Sequence, residues 1–262
     1  MKVWSWFLCG GLVCVAAHEV LPASVGRDML YTAVGFAAVA AILVGVRRNR
    51  PVTRTPWLLF AAGILLWSLG DIVRAVVGLI SSEPVPSAAD LLYLLGYGAL
   101  AVGLHHLARS RKPGGDRTGM IDAVVVGVAL SLAVTALFID PVWAAQGSVL
   151  ARSVGVAYPV AAVILLVQLT YLRAAGHGRT PALRMLSLAL IATLIGDLLF
   201  EFAPRMSWLE PSMHLLDAAW LTGYLLLGAA ALHPSMAAAT DRQPQGVKVA
   251  SCLLYTSPSP RD

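Results

Sequence analysis

Eight stretches of this chain stay apolar for roughly the thickness of a bilayer, and that restricts its possible folds more than any other feature. In lipid every backbone N–H and C=O must be satisfied within the chain, so a spanning segment is a helix of roughly 20 apolar residues. Such runs fall at 3–17 (extendable to 21), 29–46, 57–80, 88–107, 120–138, 153–172, 185–203 and 214–232. Hydrophobic residues make up 58% of the 262 positions, charged residues only 13%, and the mean hydropathy is +0.75. A water-soluble domain carries more polar surface than this. The expected fold class is all-α: a polytopic membrane helical bundle of about eight transmembrane helices.

The charges say how the chain threads. Arg47, Arg48, Arg50 and Arg54 lie between spans two and three; Arg109, Arg111, Lys112 and Arg117 between four and five; Arg173, Arg179 and Arg184 between six and seven. The alternate connections carry single arginines, Arg27, Arg152 and Arg205. Under the positive-inside rule both termini and the basic loops face the cytoplasm, as in a multi-pass protein of the plasma membrane. The net charge of +5 is then topological, and nucleic acid is not an expected partner. Span one also has signal-peptide features: Lys2, a short apolar core and the small-residue run Val15-Ala16-Ala17. Cleavage there would leave seven spans.

A repeat argues for keeping it. Tyr31 aligns with Tyr158, Arg54-Thr55-Pro56 with Arg179-Thr180-Pro181, and Gly70-Asp71 with Gly196-Asp197. Glu83-Pro84 then aligns with Glu210-Pro211, Asp90 with Asp217, Gly96-Tyr97 with Gly223-Tyr224, and Leu104-His105 with Leu232-His233. A unit with an even number of crossings re-enters the membrane in the same sense, so two tandem copies pack as a parallel pseudo-twofold pair. The expected organisation is a first four-helix unit over 1–110, a second over 111–236, and a cytoplasmic linker over 237–251. Span one becomes the counterpart of span five.

The carboxylates inside these spans are the candidate site. Asp71 lies within span three, where a charge costs about 2.5–3.5 kcal/mol on insertion scales and needs a partner, a proton or water. Arg74, one turn on, is its nearest expected partner. At the second copy Phe200 takes that place and Glu201 follows Asp197 at i+4, where like charges leave one member protonated. Asp90, Tyr93 and Tyr97 share one helix face, and Asp217, Trp220 and Tyr224 repeat it. The threading puts these acids toward the extracytoplasmic half, near Glu83 and Glu210 in short outer loops. The expected site is an acidic, outward-opening crevice between the copies, lined by Asp71, Arg74, Asp90, Tyr97, Asp197, Glu201, Asp217 and Tyr224. Two readings fit it. The aspartates cap spans four and eight and fix register by hydrogen bonds across helices, or they sense a cation, protons or a small ligand.

Catalytic and metal signatures are not found. No GxSxG, HExxH or close acidic metal cluster occurs, so neither an enzyme nor a metal or cofactor is expected within these residues. His105, His106 and His233 sit near the cytoplasmic ends of spans four and eight, where helix-end electrostatics explains them better than metal or haem ligation. Cys9 and Cys14 read as small packing residues. The last segment, CLLYTSPSPRD over 252–262, reads as a translated sequencing-library adapter and is set aside, Cys252 included. The natural chain is expected to continue past Ser251. Pro234 and the polar run TDRQPQG at 240–246 read as a helix stop and a linker to a following domain.

PWLLFAAGILLWSLGD at 56–71, PSAADLLYLLGYGALAVGL at 86–104, DRTGMIDAVVVGVALSL at 116–132 and ALHPSM at 231–236 carry a family resemblance. Over most of residues 28–236 the chain resembles the membrane-embedded amino-terminal region of actinobacterial GGDEF and EAL domain proteins, cyclic di-GMP cyclases and phosphodiesterases. In that family the hydrophobic block is an input region, with the enzyme domains following it in the cytoplasm. The resemblance implies sensing and signal transduction, and it carries no catalytic residue onto this chain. The implied partners are the lipid bilayer, a cytoplasmic output domain and a second copy of the chain. The competing reading is a small-solute or ion transporter built from parallel repeats, although no pair of interrupted helices stands at matching depth.

Overall fold

The computed structural model describes residues 2–22, 24–80, 86–111, 148–174, 180–202 and 214–240, with scattered residues between 121 and 136. Seven long helices run through them: α1 (Val3–Val20), α2 (Val25–Asn49), α3 (Thr55–Ile80), α4 (Ala88–Arg111), α5 (Val149–Ala174), α6 (Pro181–Phe202) and α7 (His214–Leu232). A short helix, α8 (Met236–Thr240), follows. Among the described residues six helices are long and apolar enough to cross a membrane, and the apolar part of α7, Leu216–Leu232, is a little shorter. The chain is a multi-pass, all-helical membrane protein. Expected span five, 120–138, lies mostly outside the described residues, as do Glu83, Glu210 and the adapter-like tail.

Local chemistry sets the helix ends and carries several beyond their apolar runs. Ser24 accepts from the Arg27 N–H at 3.4 Å to open α2, Asp28 sits in the first turn, and Arg47 and Arg48 sit in the last. Arg50 closes α2 in the left-handed region (φ 45°), its N–H returning to Val46 O at 3.2 Å, with Pro51 just beyond. Asp90 holds the start of α4: its Oδ2 accepts from the Ser87 N–H at 2.6 Å and from the Ser87 hydroxyl at 3.3 Å. Thr180 Oγ1 accepts from the Leu183 N–H at 3.3 Å and Pro181 supplies the first residue of α6. Pro159 is buried inside α5 without ending it.

The helices pack as two pairs of sequence neighbours, α3 on α4 and α6 on α7, joined by α2 against α7 and α4 against α5; α1 packs on α7. Lipid offers no hydrophobic drive between helices, so close backbone approach and van der Waals contact hold such bundles. Gly45 shows this: a Cβ there would run into the backbone carbonyl of Ala231 on α7. Ile42, Trp57, Phe60, Ile64, Leu100, Leu104, Leu221 and Leu225 fill the interior. Leu79, Leu91, Val149 and Leu150 face outward, where lipid is their solvent.

The end of α7 is clamped. Asn49 Nδ2 donates to the Ala231 and His233 carbonyls at 2.9 and 3.2 Å, and Ser235 Oγ accepts from the Ala182 N–H of α6 at 3.0 Å. Met236 and Ala239 of α8 are fully buried, so packing continues for another turn of helix beyond α7.

Candidate functional site between the helix pairs

Each fourth-position aromatic reaches the aspartate of its neighbouring helix. Tyr93 Oη on α4 donates to Asp71 Oδ1 on α3 at 2.8 Å, and Trp220 Nε1 on α7 donates to Asp197 Oδ1 on α6 at 2.9 Å. The local reason is the glycine before each acid. A Cβ on Gly70 would strike the Tyr93 ring, and one on Gly196 would strike the Trp220 indole. Tyr93 is thus a direct hydrogen-bond donor to Asp71, because α4 is packed tightly along α3, and the positive charge of Arg74, one turn on, also acts on that carboxylate. Asp71 Oδ2 is buried and meets no donor among the described residues.

The other two aspartates join helices that are far apart in sequence. Tyr158 Oη of α5 donates to Asp90 Oδ1 of α4 at 2.7 Å, while Asp90 Oδ2 serves the cap. Arg27 Nη2 of α2 donates to Asp217 Oδ2 of α7 at 3.0 Å. Asp90 therefore does what capping predicts and also ties two helices together.

Between these pairs runs a column of rings. Trp67 packs edge-on against Tyr97 at 5.0 Å and stacks on Tyr224 at 5.9 Å, and its Nε1 donates to the Tyr93 carbonyl at 3.0 Å. Tyr97 meets Tyr158 at 6.2 Å and Tyr224 meets Tyr31 at 6.3 Å, both edge-to-face, a geometry that ring quadrupoles favour. Asp71, Asp90, Tyr97, Asp197, Asp217 and Tyr224 thus share one buried seam. Arg74 stands at its edge, exposed, acting on both Asp71 and Asp217. Glu201 belongs to α6, but its side chain lies outside the described residues.

An open cleft of about 450 Å³ lies elsewhere, lined by Val128, Leu132, Val163, Ile164, Val167 and Gln168 among others. Among the described residues no three His, Cys, Asp or Glu side chains converge as metal ligands do. The hydrogen bonds from Tyr93, Tyr158 and Trp220 to aspartates each join one helix to another.

His18, Glu19 and Arg27 complete the seam at one end, and sequence reasoning passed over them. His18 is only 2% exposed, with Nε2 3.3 Å from Arg27 Nε and 3.9 Å from Asp217 Oδ2, and Nδ1 3.1 Å from Glu19 Oε1. Arg27 reads in sequence as a lone loop arginine, yet it lies in the first turn of α2. The one available signal was the Tyr31–Tyr158 match, which marks α2 and α5 as seam helices. At the opposite end, burial holds the His233 imidazole below its ordinary value and nearby Lys2 adds to this. Its Nδ1 accepts from the Ser235 N–H at 3.1 Å. His105 and His106 pack edge-to-face on each other at the surface. No protein-family model matches the chain, and no curated protein or solved structure matches it.

Proposed function

We propose that the chain is the membrane-embedded input region of a signalling protein whose cytoplasmic output domain, of the cyclic di-GMP kind, follows the linker after α8. The observation that carries this reading is the reciprocity of the seam. Tyr158 of the second unit reaches Asp90 of the first, and Arg27 of the first reaches Asp217 of the second. Tyr97 meets Tyr158 as Tyr224 meets Tyr31. Tyr93 serves Asp71 as Trp220 serves Asp197. Such pairing supports two parallel four-helix units related by a pseudo-twofold axis, with buried polar groups as the contact between them.

A polar contact of this kind has discrete alternative pairings, and a change of pairing moves one unit against the other. The clamp on α7 by Asn49 and Ser235 supports transmission of such a shift to α8 and the linker. With the basic loops inside, the His18 end of the seam lies toward the extracytoplasmic side and the His233 end toward the cytoplasm.

Long-read sequencing of the locus, followed by cyclic di-GMP measurement in cells expressing the full frame, tests the proposal. The expected result is a frame that runs on from the linker into a GGDEF- or EAL-type domain, with output altered by Asp71→Asn and by Asp197→Asn at unchanged membrane insertion. A stop codon soon after α8, or unchanged output in both variants and in the double variant, contradicts it.

A further inference from the structure

We infer that His18, Arg27 and Asp217 form a proton-operated latch, and that acid on the extracytoplasmic side is the stimulus of the input region; this rests on the signalling reading above. A guanidinium only donates, so Arg27 Nε, 3.3 Å from His18 Nε2, requires that nitrogen to be bare. The single ring proton then sits on Nδ1 and points to Glu19 Oε1 at 3.1 Å. In this neutral tautomer both ring nitrogens are satisfied, and Arg27 Nη2 remains on Asp217 Oδ2 at 3.0 Å.

A second proton on Nε2 places one N–H against another. The Arg27–His18 bond is lost, and the acceptor left within reach of the new N–H is Asp217 Oδ2, now 3.9 Å away. His18 therefore competes with Arg27 for one carboxylate oxygen. Taking it ties α1 to α7 and releases the first turn of α2. Charged and titratable groups from four helices face the ring or its acceptor. Glu19 of α1 offers a second carboxylate whose Oε2 is buried with no donor among the described residues. Asp217 of α7 supplies the other, Arg27 is the displaced cation of α2, and Tyr31 of α2 meets the imidazole as a tilted ring at 5.7 Å. Arg74 of α3 acts on Asp217 and gives that carboxylate a cation while Arg27 moves. Imidazole is the side chain that takes up a proton between about pH 8 and about pH 5, the range an outer surface meets.

The test uses the whole chain in phosphatidylethanolamine–phosphatidylglycerol proteoliposomes. Solid-state NMR of ¹⁵N-histidine, with His18 assigned in the wild-type protein, reads the tautomer directly. The expected result is a bare Nε2 and protonated Nδ1 before acidification and loss of the bare-nitrogen signal after it. Spin labels at Val20→Cys and Met29→Cys, both exposed positions, in a chain with Cys9, Cys14 and Cys252 changed to serine, read the separation of α1 and α2. That distance lengthens in acid, and His18→Gln abolishes the change. A protonated Nε2 at neutral pH, or a pH-dependent distance that survives His18→Gln, overturns the latch. A response only to acid on the arginine-rich side overturns the assigned stimulus. Neither readout needs an output domain, so failure of the latch is distinguishable from failure of the signalling reading.

Discussion

Asp71 shows what a buried carboxylate demands at the scale of one residue. Its accessible oxygen takes a hydroxyl from Tyr93, and hydrogen bonds to charged groups contribute about 1.5–3 kcal/mol where neutral ones give about 1. Tyr93→Phe is therefore expected to lower stability in mixed-micelle unfolding by about 1.5–3 kcal/mol. Trp220→Phe should cost a similar amount through Asp197, and Tyr93→Phe combined with Asp71→Asn should cost less than the sum of the two single changes. The acids themselves were legible in the sequence, because a charge inside an apolar run stands out. Their partners were not. Arg74 is one turn away and invites pairing, whereas Tyr93 and Tyr158 reach their carboxylates only after α3, α4 and α5 have packed, and no local pattern encodes that contact.

Helices were the most legible level: six of the expected spans are helices long and apolar enough to cross a membrane, and their ends are what the structure moves. Span two was expected over 29–46 and α2 runs Val25–Asn49, because Ser24, Asp28, Arg50 and Pro51 set its limits by capping chemistry rather than hydropathy. Helix crossings were invisible. Gly45 and Gly98 look alike in sequence, but a Cβ on Gly45 meets the Ala231 backbone while one on Gly98 meets nothing within 4 Å. Gly45→Ala should destabilise the fold by about 1–3 kcal/mol through overpacking. Gly98→Ala should be neutral or stabilise by up to about 1 kcal/mol by improving helix propensity. The exit from α7 carries a pH dependence of its own. Because the folded state holds His233 below its ordinary value, the unfolded chain binds the proton more readily, and stability falls as pH drops below about 6.5. Faster amide exchange at Ser235 in acid, suppressed by His233→Asn, is the expected signature.

At the scale of the whole molecule, the sequence repeat pairs positions along the chain, and the structure shows which helices meet: α2 lies on α7 and α4 on α5, with Arg27–Asp217 and Tyr158–Asp90 joining them. Correspondence leaves a trace in sequence because matched positions keep matched residues. Which unit faces which is fixed by packing between surfaces more than sixty residues apart, for which no periodicity exists. The most direct measurement is a carbon–carbon through-space correlation spectrum of the chain in lipid, with tyrosine and aspartate labelled. It should show the Tyr158 ring beside the Asp90 carboxylate, a signal removed by Tyr158→Phe and by Asp90→Asn. An Asp90 carboxylate that correlates only with acyl chains, or with no ring outside its own four-helix unit, contradicts the shared seam.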